Sequence, residues 1–169
     1  FALRRWKGFE EKAPLFGAAA EYAYRTYGLT PVFVAVEKHL DPGAGQLAAR
    51  GLTIPHYFLD DAGGAGTIIG ALSRMQAVVS MRLHALIFAA GQGIPLAGVV
   101  YDPKVSAFLR YIGQEQFVDL AELTGQNLCA MIDQCVAQAA HPEAQAAAVR
   151  NLQAMEQKNV EVARRLLKG

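Results

Sequence analysis

The stretch VVSMRLHALIFAAGQGIPLAGVVYDPKVSAFLRYIG, Val78–Gly113, decides the fold. It opens in a short apolar run, Ala77–Met81, that is typical of a buried strand. An apolar helix with small residues follows over Arg82–Gln92 and ends at Gly93. A second strand over Pro95–Tyr101 and a second helix over Pro103–Ile112 repeat the pattern. This succession predicts parallel strands joined by crossover helices.

The same alternation extends outward on both sides of this stretch. It predicts one domain over residues 1–169, an α/β fold whose open, parallel, Rossmann-like sheet is covered by helices on both faces. The further strands are expected at Phe1–Trp6, Pro31–Glu37, Thr53–Leu59 and Phe117–Leu120, and the further helices at Glu10–Tyr27, from Asp41-Pro42 to about Arg50, at Thr67–Met75, and as terminal helices over about 123–168.

Composition excludes several classes of protein. The net charge is +1, which gives no broad basic surface for nucleic acid. No apolar run reaches the roughly 18 residues of a membrane span. Cys129 and Cys135 match no metal-binding spacing, so they are expected to be small buried side chains in a reducing compartment. We expect neither a metal nor a cofactor.

Charged residues collect where the predicted strands end. Ligands of open parallel sheets bind at the carboxyl ends of the strands, next to the helices that follow. In chain order the residues after the first five strands are Arg4, Arg5 and Lys7; Lys38 and His39; Asp60 and Asp61; Arg82 and His84; and Asp102 and Lys104. Any anion site in a chain of such balanced charge must therefore be local.

Arg82 and His84 are the most informative of these residues, because they interrupt an apolar strand and an apolar helix. A helix N-terminus favours anions, so an arginine there is favourable only if an anion or a carboxylate joins it. Two structural alternatives stay open. Arg82 could pair with a carboxylate among Asp60, Asp61 and Asp102, and His84 could be a core histidine.

Two neighbouring segments could complete such a site. In Tyr101-Asp102-Pro103-Lys104, Asp102 is a natural N-cap, and Lys104 opposes the helix dipole as Arg82 does. One anion near both junctions would explain both cations. The run Gly63-Gly64-Ala65-Gly66 precedes a helix and could hold a phosphate through its N–H groups, although this signal is weak and a flexible loop explains it better.

These residues carry a resemblance. The Arg-Leu-His triplet, the small-residue helix, the Gly-Ile-Pro step and the Tyr-Asp-Pro-Lys-Val turn of Val78–Gly113 resemble the C-terminal signature of the polysaccharide pyruvyl transferase family. The resemblance implies the C-terminal lobe of a two-lobed fold like that of the GT-B glycosyltransferases. It implies transfer of the pyruvyl group of phosphoenolpyruvate to two hydroxyls of a sugar in a cell-wall or surface polysaccharide precursor, giving a ketal of the kind that anchors S-layer proteins.

The resemblance also implies roles for individual residues. His84 becomes the catalytic acid/base, while Arg82 and Lys104 hold the donor, and Arg4 or Arg5 clamps its phosphate or carboxylate. Asp102 orients Lys104 or caps the helix. These types suit the chemistry, since arginine binds such anions through two prongs, lysine acts as a point charge and histidine titrates near neutral pH.

The expected partners are phosphoenolpyruvate and a lipid-linked saccharide, at the inner face of the membrane of a cytoplasmic enzyme. About half of a typical family member, the N-terminal lobe expected to hold the acceptor, is missing upstream, so we expect this chain to be a donor-binding domain that is inactive alone. Two other classes remain. A nucleotide-sugar-dependent GT-B lobe would need a ribose-binding carboxylate, usually a glutamate, after the fourth or fifth strand. A non-catalytic binding domain would show Arg82 fully tied up, with no open cleft beside it.

Overall fold

The computed structural model describes residues 1–168 and contains five short strands and seven α-helices. The strands are β1 (Val32–Val34), β2 (Tyr57–Leu59), β3 (Val78–Ser80), β4 (Leu96–Val100) and β5 (Phe117–Asp119). The helices are α1 (Phe9–Tyr27), α2 (Pro42–Ala48), α3 (Ala65–Leu72), α4 (Leu83–Gly91), α5 (Pro103–Tyr111), α6 (Gly125–Ala139) and α7 (Pro142–Lys168), with a 3₁₀ turn at Leu120–Glu122 before α6.

All strand pairing is parallel. β1 pairs with β2, and β4 lies between β3 and β5. The segment Phe1–Ala2 joins the two sets: Phe1 O accepts from Val34 N at 2.8 Å, and Ala2 N donates to Val79 O at 3.1 Å. Counted as the first strand, this segment gives the order 3-2-1-4-5-6 of a doubly wound Rossmann sheet. The order reverses between Phe1–Ala2 and β3, which is where such sheets bind ligands.

Helices cover both faces of the sheet. Helices α1, α2 and α6 pack together on one face, and α3, α4 and α5 pack on the other. Along β4, Ala97 and Val99 enter the first core, and Leu96 and Val100 enter the second. Gly98 has to be small, because a Cβ there would lie 2.3 Å from Leu109 Cδ1 of α5. The predicted open α/β sheet with helices on both faces is thus confirmed.

Several predicted boundaries are wrong. The strand predicted over Phe1–Trp6 reduces to one bridge, between Ala2 and Ser80, because the neighbouring strands β1 and β3 already end at Val34 and Ser80. The strand predicted from Thr53 begins only at Tyr57, since Pro55 has no N–H for a ladder bond. The terminal helical region divides into α6 and α7, with α6 opened by a capping box of Thr124 and Asn127.

Two further sequence expectations have a structural outcome. Cys135 is buried, and burial raises the pKa of its thiol to about 12, whereas Cys129 is half-buried. Both thiols are free, and the prediction of a small buried side chain is confirmed for Cys135 but not for Cys129. None of the helices in the described part of the chain is both long and apolar enough to cross a membrane.

Candidate functional site

An open cleft lies at the carboxyl ends of β1, β2 and β3. Its volume is about 460 Å³. We name it the histidine cleft. Its polar lining comes from the loops after three strands and from the first turn of α4. The residues that define it are Glu37, Lys38, Asp61, Gly64, Arg82 and His84.

Arg82 forms the inner wall of the histidine cleft. It is the N-cap residue of α4 and is only 9% exposed. Its backbone is fixed locally, because its N–H donates to the hydroxyl of Ser80 at 2.8 Å and that hydroxyl lies 3.1 Å from Ala2 O. Its Nε lies 3.1 Å from Oδ2 of Asp41. No second ion pair of this guanidinium occurs within residues 1–168, and Arg82 lines the cleft.

The partner of Arg82 corrects the sequence prediction, which proposed Asp60, Asp61 or Asp102. Asp41 was assigned only to a helix start, and α2 does begin after it, at Pro42. Its carboxylate caps nothing there. Instead Oδ2 accepts from the N–H groups of Val36, at 3.1 Å, and Glu37, at 2.8 Å, and meets Arg82. A turn at residues 38–40, closed by the N–H groups of Leu40 and Asp41 donating to Glu37 O, precedes Asp41 and places it beside the arginine.

Asp41 is 2% exposed, and its Oδ1 is buried without a hydrogen-bond partner in the described part of the chain. Burial raises the pKa of the Asp41 carboxyl, and the Glu37 N–H and the Arg82 guanidinium hold the rise back. The Asp41 carboxylate therefore holds the arginine in place, but the cost of removing its charge from water offsets much of the attraction between the two groups.

His84 lies at the mouth of the histidine cleft. It occupies the first turn of α4, two residues after Arg82, and is exposed, so it is not a core histidine. Its ring lies against that of Phe88, with centroids 6.3 Å apart. The helical start explains the placement, because Arg82 points inward as the N-cap while the side chain of His84 stays at the surface. The imidazole can therefore reach a bound molecule.

The glycine-rich loop borders the same cleft. Gly63 and Gly64 line it and lead into α3, whose first turn has no side-chain cap. Gly63 has a φ of +70°, which favours glycine, and its N–H donates to Asp61 Oδ1 at 3.1 Å. Two helix N-termini, those of α3 and α4, thus meet at a cleft that also holds Arg82. Both offer unbonded N–H groups to an anion.

A second cleft opens on the other side of the reversal point, between the ends of Phe1–Ala2, β4 and β5. Its volume is about 840 Å³, and we name it the aromatic cleft. The rings of Trp6 and Tyr101 form one wall, with centroids 5.0 Å apart. The guanidinium of Arg4 lies over both rings, at 5.4 Å and 5.8 Å. The charged lining consists of Lys7, Glu11, Lys12, Asp102, Asp119 and Glu122.

The other predicted site residues lie apart from the histidine cleft. Arg5 is exposed and pairs with Glu10. Asp102 accepts from the N–H of Lys104 at 3.0 Å and so caps α5, and it also lies 3.6 Å from the Lys104 ammonium, so it performs both of its predicted tasks. Lys104 is exposed and lines neither cleft. The structure brings Arg82 and His84 together but does not add Lys104 to them.

Comparison with known families turns this geometry into an assignment. A family model described as polysaccharide pyruvyl transferase matches residues 18–103, just over half of the chain. The chain belongs to the polysaccharide pyruvyl transferase family. Comparison with curated proteins and with solved structures gives no match. The resemblance predicted from Val78–Gly113 is confirmed.

The part that matches the polysaccharide pyruvyl transferase family contains the whole histidine cleft, together with Asp41. Arg4, Arg5, Trp6 and Lys104 lie outside it. For a non-catalytic domain we expected Arg82 to be held in internal ion pairs with no open cleft beside it. Arg82 does pair with Asp41, but the cleft beside it is open. No cluster of potential metal ligands occurs within residues 1–168.

Proposed function

We propose that this polysaccharide pyruvyl transferase uses phosphoenolpyruvate as its donor and binds it in the histidine cleft. The observation that carries the proposal is the pairing of a 9% exposed arginine with an exposed histidine two residues later in one open cleft. A buried guanidinium with a single carboxylate partner suits an anionic ligand, and an adjacent free imidazole suits proton transfer.

Phosphoenolpyruvate carries two anionic groups, and the histidine cleft offers two kinds of anion contact. The Nη groups of Arg82 bind one group through a two-pronged contact, while Nε stays with Asp41. The unbonded N–H groups at the starts of α3 and α4 receive the other group. Lys38, 3.8 Å from Asp61, adds a mobile positive charge at the rim.

His84 moves the protons. Its imidazolium donates a proton to the methylene carbon of phosphoenolpyruvate, which becomes the methyl group, and a sugar hydroxyl bonds to the adjacent carbon. The imidazole then takes the proton of that hydroxyl. The C–O bond to phosphate breaks, and the second hydroxyl closes the ketal, its proton leaving with the phosphate. One donor and one diol thus give one ketal and one inorganic phosphate.

The wider assignments stay part of the same proposal. The chain forms the C-terminal, donor-binding lobe of a two-lobed, GT-B-like enzyme, and the acceptor is a lipid-linked precursor of a surface polysaccharide at the inner face of the membrane. Lys104 and one of the two arginines near the chain start keep their predicted roles in holding the donor. Arg5 takes the arginine role, because Arg4 lies over Trp6 and Tyr101, and Lys104 would have to reach the donor from outside the histidine cleft. No cofactor is required by this chemistry.

The test is donor binding by an arginine variant that keeps its charge. In Arg82→Lys the two-pronged contact is lost, so calorimetry should show an affinity for phosphoenolpyruvate about tenfold lower than that of the unaltered chain. Arg74→Lys is the matched control, because Arg74 is exposed and lies outside the cleft. Equal loss in both variants, or none in either, would refute the donor site.

A further inference from the structure

The aromatic cleft has a chemistry that differs from that of the histidine cleft. Trp6, the one tryptophan of the chain, is 46% exposed. Its ring nevertheless has a fixed position, because it contacts Arg4 and Tyr101. An exposed aromatic side chain held in a fixed position offers a flat apolar surface at little cost in entropy. Such a surface fits a flat apolar ligand face.

The charged lining argues against an anionic ligand. The two lysines, Lys7 and Lys12, face four carboxylates, and Lys12 is already engaged, because its ammonium donates to Leu123 O at 2.9 Å. Asp102 also pairs with Lys104, and Arg4 lies over the two rings, so the charges around the cleft nearly cancel. None of the described lining residues is a buried cation that could hold a phosphate or carboxylate as Arg82 does. The aromatic cleft is therefore a poor site for phosphoenolpyruvate or for a nucleoside diphosphate.

The carboxylates instead suit hydroxyl groups. Asp119 and Glu122 are exposed at the end of β5 and make no ion pair within residues 1–168. An ionised carboxylate only accepts hydrogen bonds, and a sugar presents several hydroxyl donors around a ring whose C–H faces are apolar. Aromatic rings and accepting carboxylates that line one cleft together fit a pyranose.

We propose that the aromatic cleft is a saccharide subsite that binds a neutral sugar unit of the acceptor through Trp6, Tyr101, Asp119 and Glu122. This inference rests on the proposed function, which supplies the polysaccharide acceptor. Arg82 and Tyr101 follow the adjacent strands β3 and β4, and adjacent strands lie about 4.8 Å apart. A saccharide chain can therefore occupy this subsite while its reacting sugar lies in the histidine cleft.

Trp6 provides the assay, since the fluorescence of the chain comes from this one indole. The chain is titrated with neutral trisaccharides of glucose and of N-acetylglucosamine, and separately with phosphoenolpyruvate and uridine diphosphate. We expect a saturable change with at least one trisaccharide and none with the two anions. Absence of a change with every trisaccharide, or a change with uridine diphosphate at lower concentration, overturns the subsite.

Variants separate the subsite from nonspecific effects. Tyr101→Ala and Glu122→Gln should each weaken trisaccharide binding about tenfold. Tyr111→Ala and Glu115→Gln are the matched controls, because both residues are exposed and lie outside the aromatic cleft. Glu122→Gln changes no packing, so it remains informative if Tyr101→Ala fails to fold. Equal effects in variants and controls also overturn the subsite.

Failure of this inference is distinguishable from failure of the proposed function. If phosphoenolpyruvate binds in an Arg82-dependent manner by calorimetry while trisaccharides leave Trp6 unchanged, the subsite is wrong and the donor site stands. If trisaccharides bind at Trp6 while phosphoenolpyruvate does not bind, the donor assignment is wrong and the aromatic cleft remains a saccharide site.

Discussion

The two clefts share one edge of one sheet and differ in almost every other respect. In the histidine cleft the decisive cation, Arg82, is buried and anchored on a buried acid. Beside the aromatic cleft Arg4 lies on two rings, and the three carboxylates Glu11, Asp119 and Glu122 that line it are exposed. The difference shows that the fold determines where a ligand can bind but not which ligand binds. The burial of charge decides which cleft suits a small anion and which suits a neutral polyol.

The two clefts also differ in how far the match to the family model covers them. The family match contains the whole histidine cleft but only part of the aromatic cleft, omitting Trp6 and Glu122. Donor chemistry that is common to a family would occupy the first, and recognition of a particular acceptor would occupy the second. The predictions below are designed to break or sharpen that division.

The largest effect is expected from His84→Ala. Loss of a general acid/base should lower pyruvyl transfer by the active enzyme about 10²- to 10⁴-fold, measured as release of inorganic phosphate. Folding should be unchanged, because the side chain is exposed. His141→Ala is the control, since His141 is also exposed and lies in neither cleft. Normal turnover in the first variant would remove the catalytic role from the histidine cleft.

The next largest effect is expected on the stability of Asp41 variants, and its size should depend on the residue that replaces Asp41. Asp41→Ala leaves the N–H groups of Val36 and Glu37 and the Arg82 guanidinium without a partner, so the free energy of unfolding in urea should fall by about 2–4 kcal/mol. Asp41→Asn still accepts both N–H bonds and should cost about 1 kcal/mol or less.

The role of the Asp41 charge is also tested by the pH dependence of the free energy of unfolding, compared between the unaltered chain and Asp41→Asn. Burial raises the pKa of the Asp41 carboxyl, so this group binds a proton more readily in the folded chain than in the unfolded chain. That contribution is fully present below the ordinary carboxyl pKa and is lost as the pH rises through the raised value. The unaltered chain should therefore gain stability relative to Asp41→Asn on acidification. If Asp41→Asn is as damaging as Asp41→Ala at neutral pH, the charge of the pair dominates and Asp41 is more than an anchor.

The sequence predicted the strand-to-helix junctions well and the partners across them poorly. The apolar runs of β3 and β4 and the Asp102-Pro103 cap are local signals, and each is found where it was predicted. The pairing of Arg82 with Asp41 depends on how the loop after β1 turns back, over a separation of 41 residues, and no local pattern encodes it. The burial of Asp41 Oδ1 without a hydrogen-bond partner in the described part of the chain could not be predicted from the sequence for the same reason.

The aromatic cleft was missed for a similar reason. Trp6 and Tyr101 were each treated as part of a strand, and only the pairing of Phe1–Ala2 with β3 brings the ends of these distant segments together. A usable signal did exist. Placing the first strand beside the fourth, as a Rossmann order requires, sets Arg4 and Trp6 next to the residues after β3 and β4.

A smaller effect should separate the two neighbouring arginines near the chain start. Arg4 lies over the rings of Trp6 and Tyr101, whereas Arg5 pairs with Glu10 at the surface. Arg4→Ala should shift the emission of Trp6 and lower the free energy of unfolding by about 1 kcal/mol. Arg5→Ala should leave the emission unchanged and cost about 0.5 kcal/mol or less. The reverse result would mean that the aromatic wall does not depend on Arg4.

The smallest effect tests whether the clefts are electrostatically separate. Lys38 lies at the rim of the histidine cleft and Lys7 in the aromatic cleft, and both side chains are exposed. Because Lys38 acts as a screened point charge, Lys38→Ala should weaken phosphoenolpyruvate binding only about threefold, and the difference should shrink at high salt. Lys7→Ala should leave donor affinity unchanged. If Lys7→Ala weakens the donor as much as Lys38→Ala does, the anion is not confined to the histidine cleft, and the two clefts must be treated as one site.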